Sequence, residues 1–443
     1  MSRRLLLACL CAVWTLLSSA QDLKQPNIAV FILDDVGQSD LGTYGHPIVK
    51  TPNIDRIARK GMRFDNAFLT TSSCSSSRAS ILTGLYPHNT GAATLGTPLP
   101  AAIDSLPQRL QRAGYYTASV GKWHLGEPFK SHFDRVVELR EPSGAVDWLP
   151  EFARRPKDKP FFFWFASLDA HIPYDWSPPL LSYSPNQAQV YPWSVDTVFE
   201  RSQIALYYNE ITRADRRIGE VVDAMQRAGV LDNTLVVVLS DNGAMFGGAK
   251  TSLYDEGIRT PLVLRYPPRI TAGRRNTQLV SSIDLMPTLL AAAGVPTPTG
   301  LPGVSLWPTL KQPDRPVRQY IFAERNTHAV PMFERALRTP RYLYKRNYLH
   351  RRLCDPDASL LIGTKLRERV FEEFYDLVRD PSAQQNLAQH REYQADQLAL
   401  GAQMSQLMQD TRDAAPPLIL EQCEPLPWDR RIELQWPVET ESM

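Results

Sequence analysis

Residues 28–33 read IAVFIL, an apolar run without the alternation of a strand that has one wet face. The stretches FFFWFASL at 161–168 and TLVVVLS at 234–240 have the same character. Strands of this kind are buried on both faces, as in a parallel sheet covered by helices. Helix-period stretches at 52–61 and 204–229 lie between them. We predict an α/β fold with a mostly parallel sheet, helices on both faces and these three strands at its centre.

A second, smaller unit follows a segment dense in proline and glycine at 294–316. The short strand-like stretches YIFAE, RALRT and RYLYKRNY come next, and a helix-period stretch runs to about residue 412. This order predicts a C-terminal antiparallel sheet with one helix. We therefore expect a signal peptide at 1–20, a catalytic domain at 21–310 and the smaller domain at 311–443.

The first twenty residues contain two arginines, an apolar stretch and small residues before Gln21, a pattern typical of a secretory signal peptide. A lipoprotein signal with Cys9 as the lipid-bearing cysteine is an alternative, but the apolar core before Cys9 would be too short. No later segment approaches the ~20 apolar residues of a membrane helix. No Asn-x-Ser/Thr acceptor occurs, which favours a bacterial periplasm over a lysosome or the extracellular space. A net charge of +2 argues against nucleic acid as a partner, and nothing sets the oligomeric state.

Acidic and amide side chains follow two of the predicted central strands. Asp34 and Asp35 come directly after the first strand, and Asp241 and Asn242 come directly after TLVVVLS. Because parallel sheets place their sites at the carboxyl ends of strands, these side chains should lie together. Either pair alone reads equally well as turn formers or helix caps. Together they offer hard oxygen ligands, which suit calcium and magnesium alike. A cluster with many protein ligands favours calcium, so we predict one calcium ion at this edge.

Further candidates lie in four loops. In TTSSCSSSRASILTG (70–84), Arg78 would share a helix face with Cys74, although a free cysteine in a serine-rich loop fits the pattern too. GKWHLG (121–126) places Lys122 and His124 two residues apart, on one face of an extended backbone. Two more side chains follow strands or glycine-rich loops and read alone as ordinary polar loop residues, namely His171 and Lys250.

These motifs resemble those of the type I sulfatase family, and the cysteine motif, the DNTLVVVLSDNG block and the loop AKTSLYDEG are most similar to the heparan N-sulfatase (sulfamidase) group. YDLVRDPSAQQNLA resembles a recurrent sulfatase ending, so the likeness covers nearly the whole mature chain. It implies that a maturation enzyme oxidises Cys74 to formylglycine, whose hydrated aldehyde is the nucleophile. Ser76 departs from the pattern, since the family usually has proline or alanine there. With Cys74 kept free for oxidation, Cys354 and Cys423 become a candidate disulfide.

The resemblance also implies roles for the candidates. The calcium ligands would be Asp34, Asp35, Asp241, Asn242 and residue 74. Positive side chains would neutralise the sulfate oxygens, and these are Arg78, Lys122 and Lys250. Asp241 would deprotonate the nucleophile, His171 with Lys250 would protonate the leaving atom, and His124 would drive the elimination of sulfate.

The expected activity is hydrolysis of sulfate esters or sulfamates on a heparan-type glycosaminoglycan or another sulfated carbohydrate. A phosphomonoester, phosphodiester or phosphonate hydrolase on the same scaffold is one alternative, because sulfate and phosphate are both tetrahedral anions. A non-catalytic sugar-binding protein is another. Asp169 is a candidate contact for a substrate amine or hydroxyl. Four residues of the smaller unit lie where they could reach a carboxylated sugar, although exposed arginines are usually solvated surface, and we leave them out of the core site: Glu324, His328, Arg335 and Arg338.

Overall fold

The computed structural model describes residues 25–138, 143–175, 183–328, 331–349 and 370–414. Its larger sheet has eight strands: β1 (Asn27–Leu33), β2 (Met62–Phe68), β3 (Tyr116–Gly121), β4 (Arg135–Glu138), β5 (Phe161–Ala166), β6 (Thr234–Ser240), β7 (Leu262–Arg265) and β8 (Arg274–Ser281). Their order is β4-β3-β5-β1-β6-β7-β2-β8. Only β7 runs antiparallel to its neighbours, so the sheet is mostly parallel, as predicted.

The three apolar runs form the centre of this sheet. Strand β1 lies between β5 and β6, with Ile32 opposite Ala166 and Leu33 opposite Ser240. Successive side chains of a strand point to opposite faces, so an apolar run feeds two cores at once. Phe31 accordingly packs in one buried cluster and Val30 in another. The predicted central position of all three strands is confirmed.

Helices cover both faces of the sheet. They are α1 (Pro52–Arg59), α2 (Cys74–Thr83), α3 (Pro87–Thr90), α4 (Leu106–Arg112), α5 (Trp148–Arg154), α6 (Val198–Arg227), α7 (Asp255–Ile258), α8 (Leu285–Ala292) and α9 (Gln394–Thr411). Apolar side chains of α1, α5 and α6 share one core, and those of α2, α4 and α8 share the other. Helix α6 begins earlier than residue 204 because the Thr197 hydroxyl caps it, accepting the Glu200 amide at 3.0 Å. Within the described ranges, no helix is long and apolar enough to cross a membrane.

The smaller sheet is antiparallel, with β9 (Ile321–Arg325), β10 (Glu334–Arg338), β11 (Tyr342–Asn347) and β12 (Glu372–Asp376) in the order β12-β11-β10-β9. Helix α9 packs on it through Leu400 and Met404. The predicted fold class is therefore confirmed, while the domain limits at 21, 310 and 443 stay predictions. The signal peptide at 1–20 and the Cys354–Cys423 pairing lie outside the described residues.

Candidate functional site

Three carboxylates and one thiol converge at the carboxyl edge of the large sheet. Since β1 and β6 are paired neighbours, Asp34 and Asp35 lie beside Asp241. One ligand atom from each of these acids and the Cys74 sulfur all lie within 4.8 Å of one another, and all four side chains are buried. The structure thus brings together the three acids that the sequence placed at strand ends.

Asn242 completes this cluster. Its Nδ2 donates to Asp35 Oδ1 at 3.2 Å and to Asp241 Oδ1 at 3.0 Å, and it lies 3.1 Å from Cys74 Sγ. Its Oδ1 is buried and has no hydrogen-bond partner among the described residues. Turning the amide by half a rotation would bring Oδ1 to Asp35, Asp241 and the Cys74 sulfur, because the two amide positions are interchangeable in shape. Carboxylate and amide oxygens at this spacing fit a calcium ion.

Cys74 is the first residue of α2, and this position sets its surroundings. The positive end of a helix dipole favours negative charge there. One turn later the fully buried Arg78 donates through Nε to Asp241 Oδ2 at 2.7 Å, and through Nη1 to the Lys122 carbonyl at 3.3 Å. Arg78 therefore fixes Asp241 beside residue 74.

Two lysines neutralise the remaining acids. Lys122 pairs with Asp34, and Lys250 Nζ lies 2.6 Å from Asp35 Oδ2. Burial opposes both lysine charges, but Asp34 and Asp35 outweigh it, so the pKa of each lysine is raised. Burial would likewise raise the pKa of the Cys74 thiol, but Lys250 and Lys122 lower it. The electrostatics at residue 74 thus favour an anion.

The two histidines differ in charge. Burial lowers the pKa of His171, but a hydrogen bond with Cys74 and the charges of Asp34 and Asp35 outweigh it and raise the pKa to about 8. Burial and the neighbouring Lys122 and Arg78 lower the pKa of His124 to about 4. At neutral pH the site therefore contains one imidazolium and one neutral imidazole.

The spacing of GKWHLG predicts an extended backbone at His124, and this prediction is wrong. Strand β3 ends at Gly121, and the backbone at His124 has a φ of 54°, in the left-handed region. Its Nδ1 is buried without a partner in the described part of the chain. A turn after β3, and not the alternation of side chains along a strand, therefore places His124 near the charges of Lys122 and Arg78.

The loop that carries His171 is held from behind by helix α6. Arg213 donates to Asp169 Oδ2 at 3.0 Å through Nε and to Asp175 Oδ2 at 2.9 Å through Nη1. The Ala170 amide donates to the Asp34 carbonyl at 2.7 Å. The fully buried Asp169 therefore faces Arg213 and not a substrate, which corrects its expected role.

Most of the expected sugar-binding residues of the smaller unit also face inward. Arg335 pairs with Asp413 and lies 3.6 Å from Glu324, and Arg338 Nη2 lies 2.9 Å from Asp255. Because these charges are buried and paired, the prediction that they contact the sugar is wrong. His328 alone among them reaches the site, with Nδ1 2.9 Å from Ser73 Oγ.

A second group of possible metal ligands consists of His88, Glu324 and Asp413. His88 Nδ1 lies 2.7 Å from Glu324 Oε2, and Arg335 pairs with Asp413. Burial opposes the charge of His88, but Glu324 and Asp413 raise its pKa. The cluster is thus an ion-pair network that joins α3 to the smaller sheet.

Comparison with known proteins gives this arrangement a family. The sulfatase family model matches residues 26–144 and 143–295, and the model of the N-sulphoglucosamine sulphohydrolase C-terminal region matches 246–354. Human N-sulphoglucosamine sulphohydrolase is 30% identical over 91% of this chain and 95% of that protein. An ulvan-active sulfatase of Formosa agariphila is 29% identical over 84% of this chain and 78% of that protein.

Solved structures share the fold. One, a complex with its substrate D-glucosamine-2-N,6-O-disulfate, superposes with a TM-score of 0.75 at 22% identity, over 90% of this chain and all of that one (100%). The phosphonate monoester hydrolase of Agrobacterium radiobacter superposes with a TM-score of 0.72 at 21% identity, over 87% and 96% of the two chains. The matched family model spans most of the large sheet and every acid of the site. The chain therefore belongs to the sulfatase family and is a sulfuric ester hydrolase.

Proposed function

We propose that this enzyme removes sulfate from a sulfated carbohydrate, as an ester or a sulfamate, with formylglycine at position 74 and one calcium ion. The observation that carries the proposal is the position of Cys74, at a helix N-terminus and within 4.8 Å of three carboxylates. A thiolate is a poor nucleophile for a sulfate whose sulfur is shielded by anionic oxygens. The same position suits a hydrated aldehyde, which has a hydroxyl to attack and a second hydroxyl to expel sulfate.

The calcium ligands would be the oxygens of Asp34, Asp35, Asp241 and Asn242 together with residue 74. The ion would supply positive charge to the sulfate oxygens and to the nucleophile. Lys122 and Lys250 extend from the same acids and would bind the remaining sulfate oxygens. Arg78 holds Asp241 in place for its role as a proton acceptor from the attacking hydroxyl.

The two histidines fit opposite proton transfers. His171, whose pKa is raised by Cys74, Asp34 and Asp35 in spite of its burial, would donate a proton to the departing oxygen or nitrogen. One third of the His171 side chain (33%) is exposed to solvent. This exposure suits a group that protonates the departing sugar, because the sugar leaves toward the solvent. His124, with a pKa of about 4, is neutral and would accept the proton of the second hydroxyl as sulfate leaves.

A family match in the C-terminal part of the chain supports the proposed substrate class. Residues 246–354, which include Lys250 and strand β9, match the C-terminal region of N-sulphoglucosamine sulphohydrolase. An N-sulfated or O-sulfated glucosamine of the heparan type is therefore the first substrate to test. Secretion into a periplasm and a maturation enzyme as a partner remain part of the proposal.

The test combines mass spectrometry and activity. The tryptic peptide from Phe64 to Arg78 contains Cys74 as its single cysteine and should be about 18 Da lighter than the thiol form in protein from its native host. Cys74→Ala should fold with an unchanged thermal transition and release no sulfate from N-sulfated or 6-O-sulfated glucosamine. Sulfate release by Cys74→Ala would refute the proposal. An unmodified thiol combined with hydrolysis of a phenyl phosphonate monoester would replace it by the phosphohydrolase alternative.

A further inference from the structure

The end of strand β9 forms one wall of the candidate site. The Glu324 amide donates to the Thr70 carbonyl at 2.8 Å, which aligns β9 with the segment that leads to Cys74. Beyond it, His328 Nδ1 lies 2.9 Å from Ser73 Oγ, next to the nucleophile. Residues 324–328 of the smaller unit therefore lie against the loop that carries residue 74.

Arg325 in this segment is poorly satisfied. Its Nη2 lies 3.4 Å from Thr251 Oγ1 and its Nη1 lies 3.5 Å from Glu334 Oε1, both near the limit of a hydrogen bond. Its Nε is buried and has no hydrogen-bond partner in the described ranges. By contrast, Arg335 and Arg338 in the next strand each form paired bonds with one carboxylate. Buried guanidinium nitrogens without partners are uncommon, and a ligand is one way to satisfy them.

Arg325 is also close to the reacting groups. Thr251, which it contacts, is adjacent to Lys250, and the Thr251 amide donates to Ser72 Oγ at 3.0 Å. About one fifth of the Arg325 side chain (20%) is exposed, so an anion can reach it. Lys122 and Lys250, which lie against Asp34 and Asp35, are assigned to the sulfate that is cleaved. The Arg325 guanidinium is thus an additional positive charge beside the sulfate pocket.

His328 gives a neutral contact beside this charge. Burial and, after it, the charges of Lys250 and Arg325 together lower its pKa to about 4. The imidazole is therefore uncharged at neutral pH. One ring nitrogen is engaged with Ser73, so the other is the atom that a sugar hydroxyl can reach.

We propose that Arg325 and His328 form a specificity subsite in which Arg325 binds a second anionic group of the substrate and His328 binds a neighbouring hydroxyl. This inference rests on the proposed function. A guanidinium recognises a carboxylate or a sulfate through the same paired, charge-assisted hydrogen bonds. The second anion is therefore a uronate carboxylate or an additional sulfate on the sugar next to the bond that is cleaved.

The test compares three substrates that share one cleavable group. They are glucosamine N-sulfate, glucosamine 2-N,6-O-disulfate and an N-sulfated glucosamine linked to a hexuronate. Arg325→Met should lower kcat/KM for a doubly charged substrate roughly 10- to 100-fold more than for the singly charged one, because hydrogen bonds to charged groups have that worth. The loss should be mainly in KM. Arg325→Lys keeps the charge and should recover part of the loss.

The matched control is Arg346→Met. Arg346 lies in the same sheet with the same exposed fraction (20%), but it pairs with Glu372 at 3.0 Å. Arg346→Met should change kcat/KM for the three substrates by the same factor. Inhibition by inorganic sulfate reports on the cleaved-sulfate pocket alone, so Arg325→Met should affect it far less than it affects the doubly charged substrates.

The outcomes separate the two proposals. A selective loss with the disulfate assigns the second anion to sulfate, and a selective loss with the uronate assigns it to carboxylate. Equal losses on all three substrates, or no loss on either doubly charged one, would overturn the subsite. If wild-type enzyme with formylglycine releases no sulfate, the proposed function fails. Calorimetric affinities of wild type and Arg325→Met for the three sugars then decide the subsite by the same comparison.

Discussion

Replacing Arg213 by methionine should have two effects: it should destabilise the protein and it should displace His171. Arg213 is almost fully buried, and it bonds to Asp169 and Asp175, which flank His171 in the chain. Glu210 Oε1 lies 3.5 Å from the same guanidinium and accepts the Asp175 amide at 2.7 Å. Methionine fills a similar volume but leaves buried carboxylates without their cation.

The size of the effect follows from this burial. Removing one partner of a buried ion pair costs about 3–5 kcal/mol, because an uncompensated charge remains. The loss should depend on pH. Burial already raises the pKa of Asp169 to about 6 although Arg213 opposes this, and without Arg213 the pKa must rise further. Each added unit contributes about 1.4 kcal/mol of instability above that pKa.

Proton binding by Asp169 sets the direction of the pH dependence. Between the unfolded and folded pKa values of Asp169, the folded variant holds more protons than the unfolded chain, so its free energy of unfolding rises as the pH falls. Urea denaturation followed by tryptophan fluorescence at pH 8 and pH 5.5 measures this. The deficit of Arg213→Met relative to wild type should be at least about 1 kcal/mol larger at pH 8. At pH 8, kcat should fall about 100-fold, as expected for a proton donor misplaced by about 1 Å.

Arg216→Met is the control. Arg216 lies on the same helix, is mostly exposed and has only a 3.8 Å contact with Glu220, so its loss should cost under about 1 kcal/mol at both pH values. If Arg213→Met is no less stable than Arg216→Met at pH 8, Arg213 does not hold the loop. A deficit that is the same at both pH values would refute the role of the buried carboxylates.

Three further predictions concern other parts of the molecule. A calcium chelator should lower the thermal transition and abolish sulfate release, and added calcium should restore both; an unchanged transition would contradict the metal site. Lys250→Met should reduce kcat/KM by about 100- to 1000-fold, whereas Lys311→Met, at an exposed lysine, should leave it unchanged. Equal values of kcat/KM for the two variants would show that Lys250 does not act in the site. The raised pKa of His88 means that its stabilisation is present below the unfolded value of 6.5 and lost as pH rises through the folded value. The difference in unfolding free energy between wild type and His88→Gln should therefore shrink from pH 6 to pH 9, whereas His46→Gln, at a histidine whose pKa is lowered to about 4, should show no such decrease.

The central sheet and the acidic cluster could be predicted because each rests on local composition. A continuous apolar run such as IAVFIL encodes burial on two faces, and adjacent parallel strands bring their last residues together. The acids Asp34, Asp35 and Asp241 therefore lie at strand ends on one edge of the sheet. The pairing of β1 with β6, which puts Leu33 opposite Ser240, is a long-range contact that local composition does not give.

The contacts of the smaller unit could not be predicted in this way. Ser73 and His328 are 255 residues apart, and only the docking of β9 brings them together. Arg335 lies opposite Glu324 in the antiparallel register, so its charge faces a carboxylate of the neighbouring strand and not a ligand. Arg325, one residue after Glu324, points toward Thr251 instead. Which arginine is free for a ligand depends on register and pairing, and composition carries no signal for either.

The charges of the site explain why calcium and substrate should bind together. Asp34, Asp35 and Asp241 bring three negative charges, and they are matched by the three cations Arg78, Lys122 and Lys250. Without the ion, the charges of these six groups cancel, and His171 is the positive group left to attract sulfate. A divalent ion held by the same acids gives the set a net positive charge in a site of low dielectric, where that charge is strongest. We therefore expect inorganic sulfate to raise the thermal transition of the calcium-loaded protein more than that of the chelated one.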